Sequence, residues 1–138
     1  MPARRLGLAG ALIVSALPAL AQPRETRGAA AGAFDFYVLA LSWSPGFCEA
    51  GGSAKGRDQC EAGRRLGFVV HGLWPQGEQG FPSFCEPGGR SLPRNAVEEA
   101  RGIFPDEGLA RHQWRKHGSC SGLGPTEYFR AVRTARGL

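Results

Sequence analysis

This chain of 138 residues is short of several things. It has no apolar stretch of the roughly 20 residues that a retained membrane span needs. It has no internal repeat and no low-complexity run, which excludes solenoids, propellers and fibrous arrays. Histidine is scarce, with three in all, and charge of either sign is modest. Once Arg4 and Arg5 are set aside with the leader described below, fifteen basic residues face twelve acidic ones, a net charge of +3. That balance permits a polyanionic partner without demonstrating one, since solubility alone accounts for it. The 21 glycines and 10 prolines are too many for a helical bundle and too few for a disordered chain. The length allows one domain, and a loop-rich α+β domain is the expected class.

Residues 1–21 read as a signal peptide. Arg4 and Arg5 supply the basic start, Leu6 to Leu17 the apolar run, and Ala19-Leu20-Ala21 a small-x-small cleavage site. The apolar run is too short for a permanent anchor, so no membrane association is expected after cleavage. Export to the periplasm or the medium places the chain in an oxidising compartment, where its four cysteines pair. Four cysteines allow three pairings. Cys48–Cys60, which closes a short local loop, together with Cys85–Cys120 is the preferred set.

Gln22 to Ala33 is small and polar, expected as a flexible lead-in, with the domain running from residue 34 to residue 138. Phe34 to Trp43 is aromatic and aliphatic with no breaker before Pro45, and reads as a central strand. Leu66 to His71 reads as a second strand, with His71 near its end, where the chain passes into Gly72-Leu73-Trp74-Pro75. A histidine there is more often structural than catalytic when taken alone. Gln76 to Arg90 is expected as loop. A helix is expected over 93–101 with Ser91 as its cap, another over 107–117 with Gly118 as a left-handed C-cap, and a last one from Pro125. In that last helix Tyr128, Phe129 and Val132 form an apolar stripe suited to the core.

The richest chemistry lies in Arg111-His112-Gln113-Trp114-Arg115-Lys116-His117-Gly118-Ser119-Cys120. At about 100° per residue, with His112 at zero, Lys116 falls near 40°, Gln113 near 100° and His117 near 140°. Four polar groups therefore share one arc, while Trp114 lies beyond its edge and is expected to pack. Two imidazoles and an ammonium gathered on one face suit a cleft that handles a phosphate and its protons.

His71-Gly72-Leu73-Trp74-Pro75 and His112 through Cys120, in this order and with Leu41-Ser42-Trp43-Ser44-Pro45-Gly46-Phe47-Cys48 before them, resemble the signature segments of the ribonuclease T-two family. These are secreted, acid-active endoribonucleases without base specificity. The resemblance implies an α+β domain built on an antiparallel sheet. It also implies cleavage of single-stranded RNA through a 2′,3′-cyclic phosphate, with no metal and no cofactor. His117 would be the base and His71 the acid, with His112 and Lys116 on the phosphate oxygens and Trp74 as a platform for a base. A monomer is expected. Two departures stand out. Gln113 occupies a position where the family usually has glutamate; it is expected to keep a hydrogen bond to Lys116 or His117 without the charge, giving a slower site. The family's domain also continues well past the second motif, so a domain lacking its C-terminal part is expected.

Two other readings compete. A zinc hydrolase using His71, His112 and His117 is disfavoured, because the helical pair is spaced i, i+5 with no carboxylate between, unlike the i, i+4 pair of zinc helices. A non-catalytic RNA-binding or secreted interaction module would hold RNA without cutting it.

Overall fold

The computed structural model describes residues 24–55, 58–64, 67–86 and 91–137. The signal peptide assigned to residues 1–21 lies outside the described residues, as does Leu66, where the second strand was expected to begin. No helix among the described residues is long and apolar enough to cross a membrane.

Among the described residues, four strands form two two-stranded sheets. Strand β2 (Phe36–Trp43) pairs antiparallel with β3 (Phe68–Gln76). Strand β1 (Arg24–Arg27) pairs in parallel with β4 (Gly80–Ser83). Residues 24–27 were expected in a flexible lead-in, and β4 falls where only loop was expected. Both elements are short and owe their order to each other, which local composition does not reveal. Gly80, at φ 155°, also has no Cβ to obstruct the Arg24 carbonyl, which passes directly over its Cα.

The apolar run in β2 forms the expected strand, but in a different setting. Among the described residues it pairs with β3 alone, and Phe36, Leu41 and Trp43 remain about half exposed. Apolar composition marks a strand without fixing how many neighbours it has. Strand β3 runs through the whole Gly72-Leu73-Trp74-Pro75 segment and does not stop at His71. Its register slips by one residue against β2: Ala40 faces Gly72 and Leu41 faces Val70, leaving His71 as the extra residue of a bulge.

A single turn α1 (Ser44–Phe47) follows β2 and leads into the loop closed by Cys48–Cys60. Helix α2 (Arg94–Ala100) has Pro93 rather than Ser91 at its N-cap position, without a side-chain cap. Helix α3 (Glu107–Lys116) is capped by Asp106, whose carboxylate accepts from the Leu109 N–H at 2.7 Å. It ends in a tight 3-10 turn over Gly118–Cys120. Gly118 is therefore no left-handed cap. It is small because a Cβ there would press on Trp114 and Tyr128. Helix α4 (Pro125–Arg136) begins where the sequence predicts.

The core gathers Val70 and Leu73 of β3, Ala96 and Ala100 of α2, Trp114 of α3, and Tyr128, Phe129 and Val132 of α4. Tyr128, Phe129 and Val132 have no exposed surface, and Trp114 is buried beside Tyr128 with ring centroids 5.7 Å apart. Burying one such aromatic contributes about 3–5 kcal/mol, judged by what truncation to alanine costs. The second disulfide, Cys85–Cys120, ties the segment just after β4 to the turn after α3. Beside it the Phe84 N–H donates to the Lys116 carbonyl at 2.9 Å, and the Cys85 N–H donates to Ser119 Oγ at 3.2 Å. These bonds hold sheet and helix at a fixed spacing, and the cleft lies between them.

Candidate active site

His71, Trp74, His112, Gln113, Lys116 and His117 all line one cavity of about 340 Å³, together with Gln76 and Phe81. Two elements more than thirty residues apart in sequence supply them. On α3 the helical period brings the four polar side chains to the same side, as the arc requires. On β3 the bulge carries His71, which remains largely exposed while Val70 and Leu73 are both buried. Strict alternation would put those two on opposite faces. The extra residue lets both reach the core and leaves the imidazole to the cleft.

Burial differs sharply within the group. His112 is exposed and Lys116 half-buried, whereas Gln113 and His117 are 1% and 4% exposed. The Gln113 side chain does not bond Lys116 or His117, as was expected of it, although its backbone carbonyl accepts from the His117 N–H at 2.9 Å. Its Oε1 accepts from the Trp74 indole N–H at 2.8 Å. The reason is proximity across the β3–α3 interface: Gly72 has no side chain, and a Cβ there would overlap both Gln113 Oε1 and Trp74 Nε1. The indole in turn lies on His117, with ring centroids 4.9 Å apart and planes at 21°. It meets His71 edge-on at 5.8 Å. One face of Trp74 is thus taken by an imidazole.

All three histidines titrate below their usual range. For His71 the main cause is desolvation, with the Lys116 charge adding to it. For His112 it is again desolvation, then Arg115, Lys116 and His71. His117 is pushed down to about 4 by burial first, then by Lys116, His112 and His71. Glu25 acts the other way. It stands on β1 directly opposite Phe81 of β4, itself a cleft residue. Crowding three imidazoles beside the Lys116 ammonium in one partly dry cleft disfavours the imidazolium forms.

A second cavity of about 320 Å³ adjoins the first and shares His71 and His112 with it; Ser42, Phe47, Gln59, Asp106, Gly108 and Leu109 complete its lining. Among the described residues no group of three or more His, Cys, Asp and Glu side chains is arranged to hold a metal ion. Sequence reasoning missed Gln76, Phe81 and Glu25. Gln76 directly follows the first motif and could have been included with it. Phe81 and Glu25 carry no local signal, because the pairing of β1 with β4 brings them in.

A bulged strand and a capped helix that present imidazoles to one cleft, stapled by a disulfide beside it, define the class: a disulfide-linked α+β domain with a histidine-lined cleft. The chain belongs to the Ribonuclease T2 family, whose model matches residues 34–136. It is 44% identical over 106 residues to a ribonuclease of Aeromonas hydrophila, covering 77% of this chain and 46% of that protein. It is 38% identical over 107 residues to a probable ribonuclease of Haemophilus influenzae, covering 69% and 39%. Among solved structures, trichomaglin, an S-like ribonuclease, superposes with a TM-score of 0.59 at 27% identity, over 73% of this chain and 59% of that one. Ribonuclease MC1 from bitter gourd seeds does so at 0.56 and 22%, over 75% and 58%, a likeness of fold. The chain spans about half the length of the relatives it matches.

Proposed function

We propose that this chain cleaves single-stranded RNA by transphosphorylation, without a metal ion or cofactor. The observation that carries this reading is the convergence of His71 from the β3 bulge with His112, Lys116 and His117 from α3 on one cavity. His117 removes the proton from the 2′-hydroxyl, and O2′ attacks phosphorus. His71 donates its proton to the departing 5′-oxygen. The products are a 2′,3′-cyclic phosphate and a 5′-hydroxyl, and the two protons balance. Proton transfers of this kind contribute roughly 10²–10⁴-fold each. His112 and Lys116 donate to the non-bridging oxygens, where negative charge grows as the bond forms. A phosphodiester in the cleft raises the proton affinity of His71, so the substrate itself charges the acid.

The two adjoining cavities share His71 and His112, which suits a dinucleotide whose phosphate lies at the shared wall and whose bases occupy the two sides. The uncovered part of Trp74 offers a stacking surface on one side, worth roughly 1–3 kcal/mol in such sites, and Phe47 offers one on the other. The two disulfides suit an oxidising compartment, and the apolar leader supports secretion or a periplasmic location for a monomeric mature chain.

The test is to incubate refolded, oxidised protein with RNA in the presence of a chelator and look for cyclic-phosphate ends. His71→Ala and His117→Ala should each abolish them. RNA retained but left intact would favour a binding module and overturn the catalytic reading.

A further inference from the structure

His117 is buried, and among the described residues no group bonds its Nδ1. A catalytic imidazole is ordinarily oriented by an acceptor on its second nitrogen, which fixes both tautomer and ring plane. Among the described residues no such acceptor meets His117 Nδ1. In its place the face of Trp74 covers the ring at 4.9 Å and 21°, and the indole is anchored through Nε1 to Gln113, 39 residues further along the chain. Gly72 leaves the space in which amide and indole meet.

We propose that Gln113 and Trp74 act as a positioning pair, the amide fixing the indole and the indole holding the His117 ring in the plane that proton transfer requires. The proposal rests on the reading of His117 as the base. Stacking alone is worth about 0.5–1.5 kcal/mol, too little to hold a mobile indole and a mobile imidazole together. A donor–acceptor bond at the far edge of the indole removes its freedom to swing away. A neutral amide also suits a position with 1% exposure, where a carboxylate would have to be stripped of water to accept the same bond. Gln113 thus acts through Trp74, with no contact of its own to the reacting atoms. The other charged and titratable groups around His117 are Lys116 and His112 from α3, His71 from β3 and Glu25 from β1. None of them supplies the cover that the indole does.

The test compares Gln113→Leu, which cannot accept a hydrogen bond, with Trp74→Phe, which keeps a ring and loses the donor, and with the double variant, all as full-length oxidised protein. Two measurements are made: the titration of the His117 ring by proton–nitrogen NMR, and kcat and KM separately on a dinucleotide. Each single variant should raise the His117 titration midpoint from about 4, because a loosened cover readmits water. Each should lower kcat roughly tenfold or more, as expected when a proton-transfer group loses its alignment, with KM nearly unchanged. The double variant should be no worse than either single one, since both break the same link. An unchanged His117 titration in Gln113→Leu, or losses that simply add in the double variant, would overturn the proposal. If the parent chain cleaves no RNA, the catalytic reading fails on its own, while the ring titration still decides whether the pair holds His117.

Discussion

The Tyr128 hydroxyl donates to the Leu73 carbonyl at 2.9 Å inside the core, linking α4 to the strand that carries the bulge. Burial raises the Tyr128 phenol far above its usual range, so it stays a donor at every working pH. Leu73 lies two residues from His71, and its carbonyl has lost its water to the fold. Tyr128→Phe leaves that acceptor unpaired in the core and should cost about 1–3 kcal/mol. The urea midpoint should fall with an unchanged slope. Because the bulge loses its anchor, kcat on a dinucleotide should fall as well. A variant as stable and as active as the parent would show that the bond does not hold the site.

The Cys85–Cys120 bridge closes a loop with a sequence separation of 35 and ties the segment after β4 to the end of α3. In the chain-entropy account, losing such a link costs about 4 kcal/mol. Cys85→Ala with Cys120→Ala should lower the unfolding midpoint strongly. Removal of the Cys48–Cys60 bridge, which closes a separation of only 12, should cost less. Paired unfolding curves for the two double variants decide the order.

The pH dependence of cleavage follows from the two imidazoles. His117 must be neutral to accept a proton, and it becomes so as pH rises through about 4. His71 must be protonated to donate, and desolvation with the Lys116 charge moves its titration below 6.5. The profile of kcat/KM, which reports the free enzyme, should therefore be a narrow bell lying wholly on the acid side of 6.5. Glu25→Gln removes a charge that favours protonated His117, so the acid limb should move to still lower pH. A bell centred at or above neutrality would contradict the assignment of these two roles.

How much of this the sequence revealed depends on the range of each interaction. The arc of His112, Gln113, Lys116 and His117 was legible because helical periodicity is local, and all four side chains do line one cavity. The starts of α3 at Glu107 and of α4 at Pro125 were legible for the same reason. The bulge at His71 was not, since a one-residue slip exists only relative to β2. Strands β1 and β4 have four residues each and form because they meet. The partner of Gln113 was misread toward its own helix, because the space left by Gly72 belongs to the interface between β3 and α3.

The same depressed histidines govern stability. Between 6.5 and about 4 the unfolded chain takes up protons that folded His117 refuses, so the folded state is favoured above 6.5 and that advantage is lost as pH falls through this window. For His117 the loss is roughly 2–3 kcal/mol after allowance for residual solvent contact. His71 and His112 contribute with the same sign. The protein should therefore weaken across the very range in which the acid-active profile is expected. Inorganic phosphate bound among His71, His112 and Lys116 would favour their protonated forms and add stability by mass action. Melting curves at pH 7 and pH 5, with and without phosphate, should show a lower Tm at pH 5 and a larger rise on adding phosphate there. In His71→Ala/His117→Ala the drop between the two pH values should shrink, because two of the three imidazoles that resist protonation are gone. An undiminished drop in that variant would locate the acid sensitivity elsewhere in the chain.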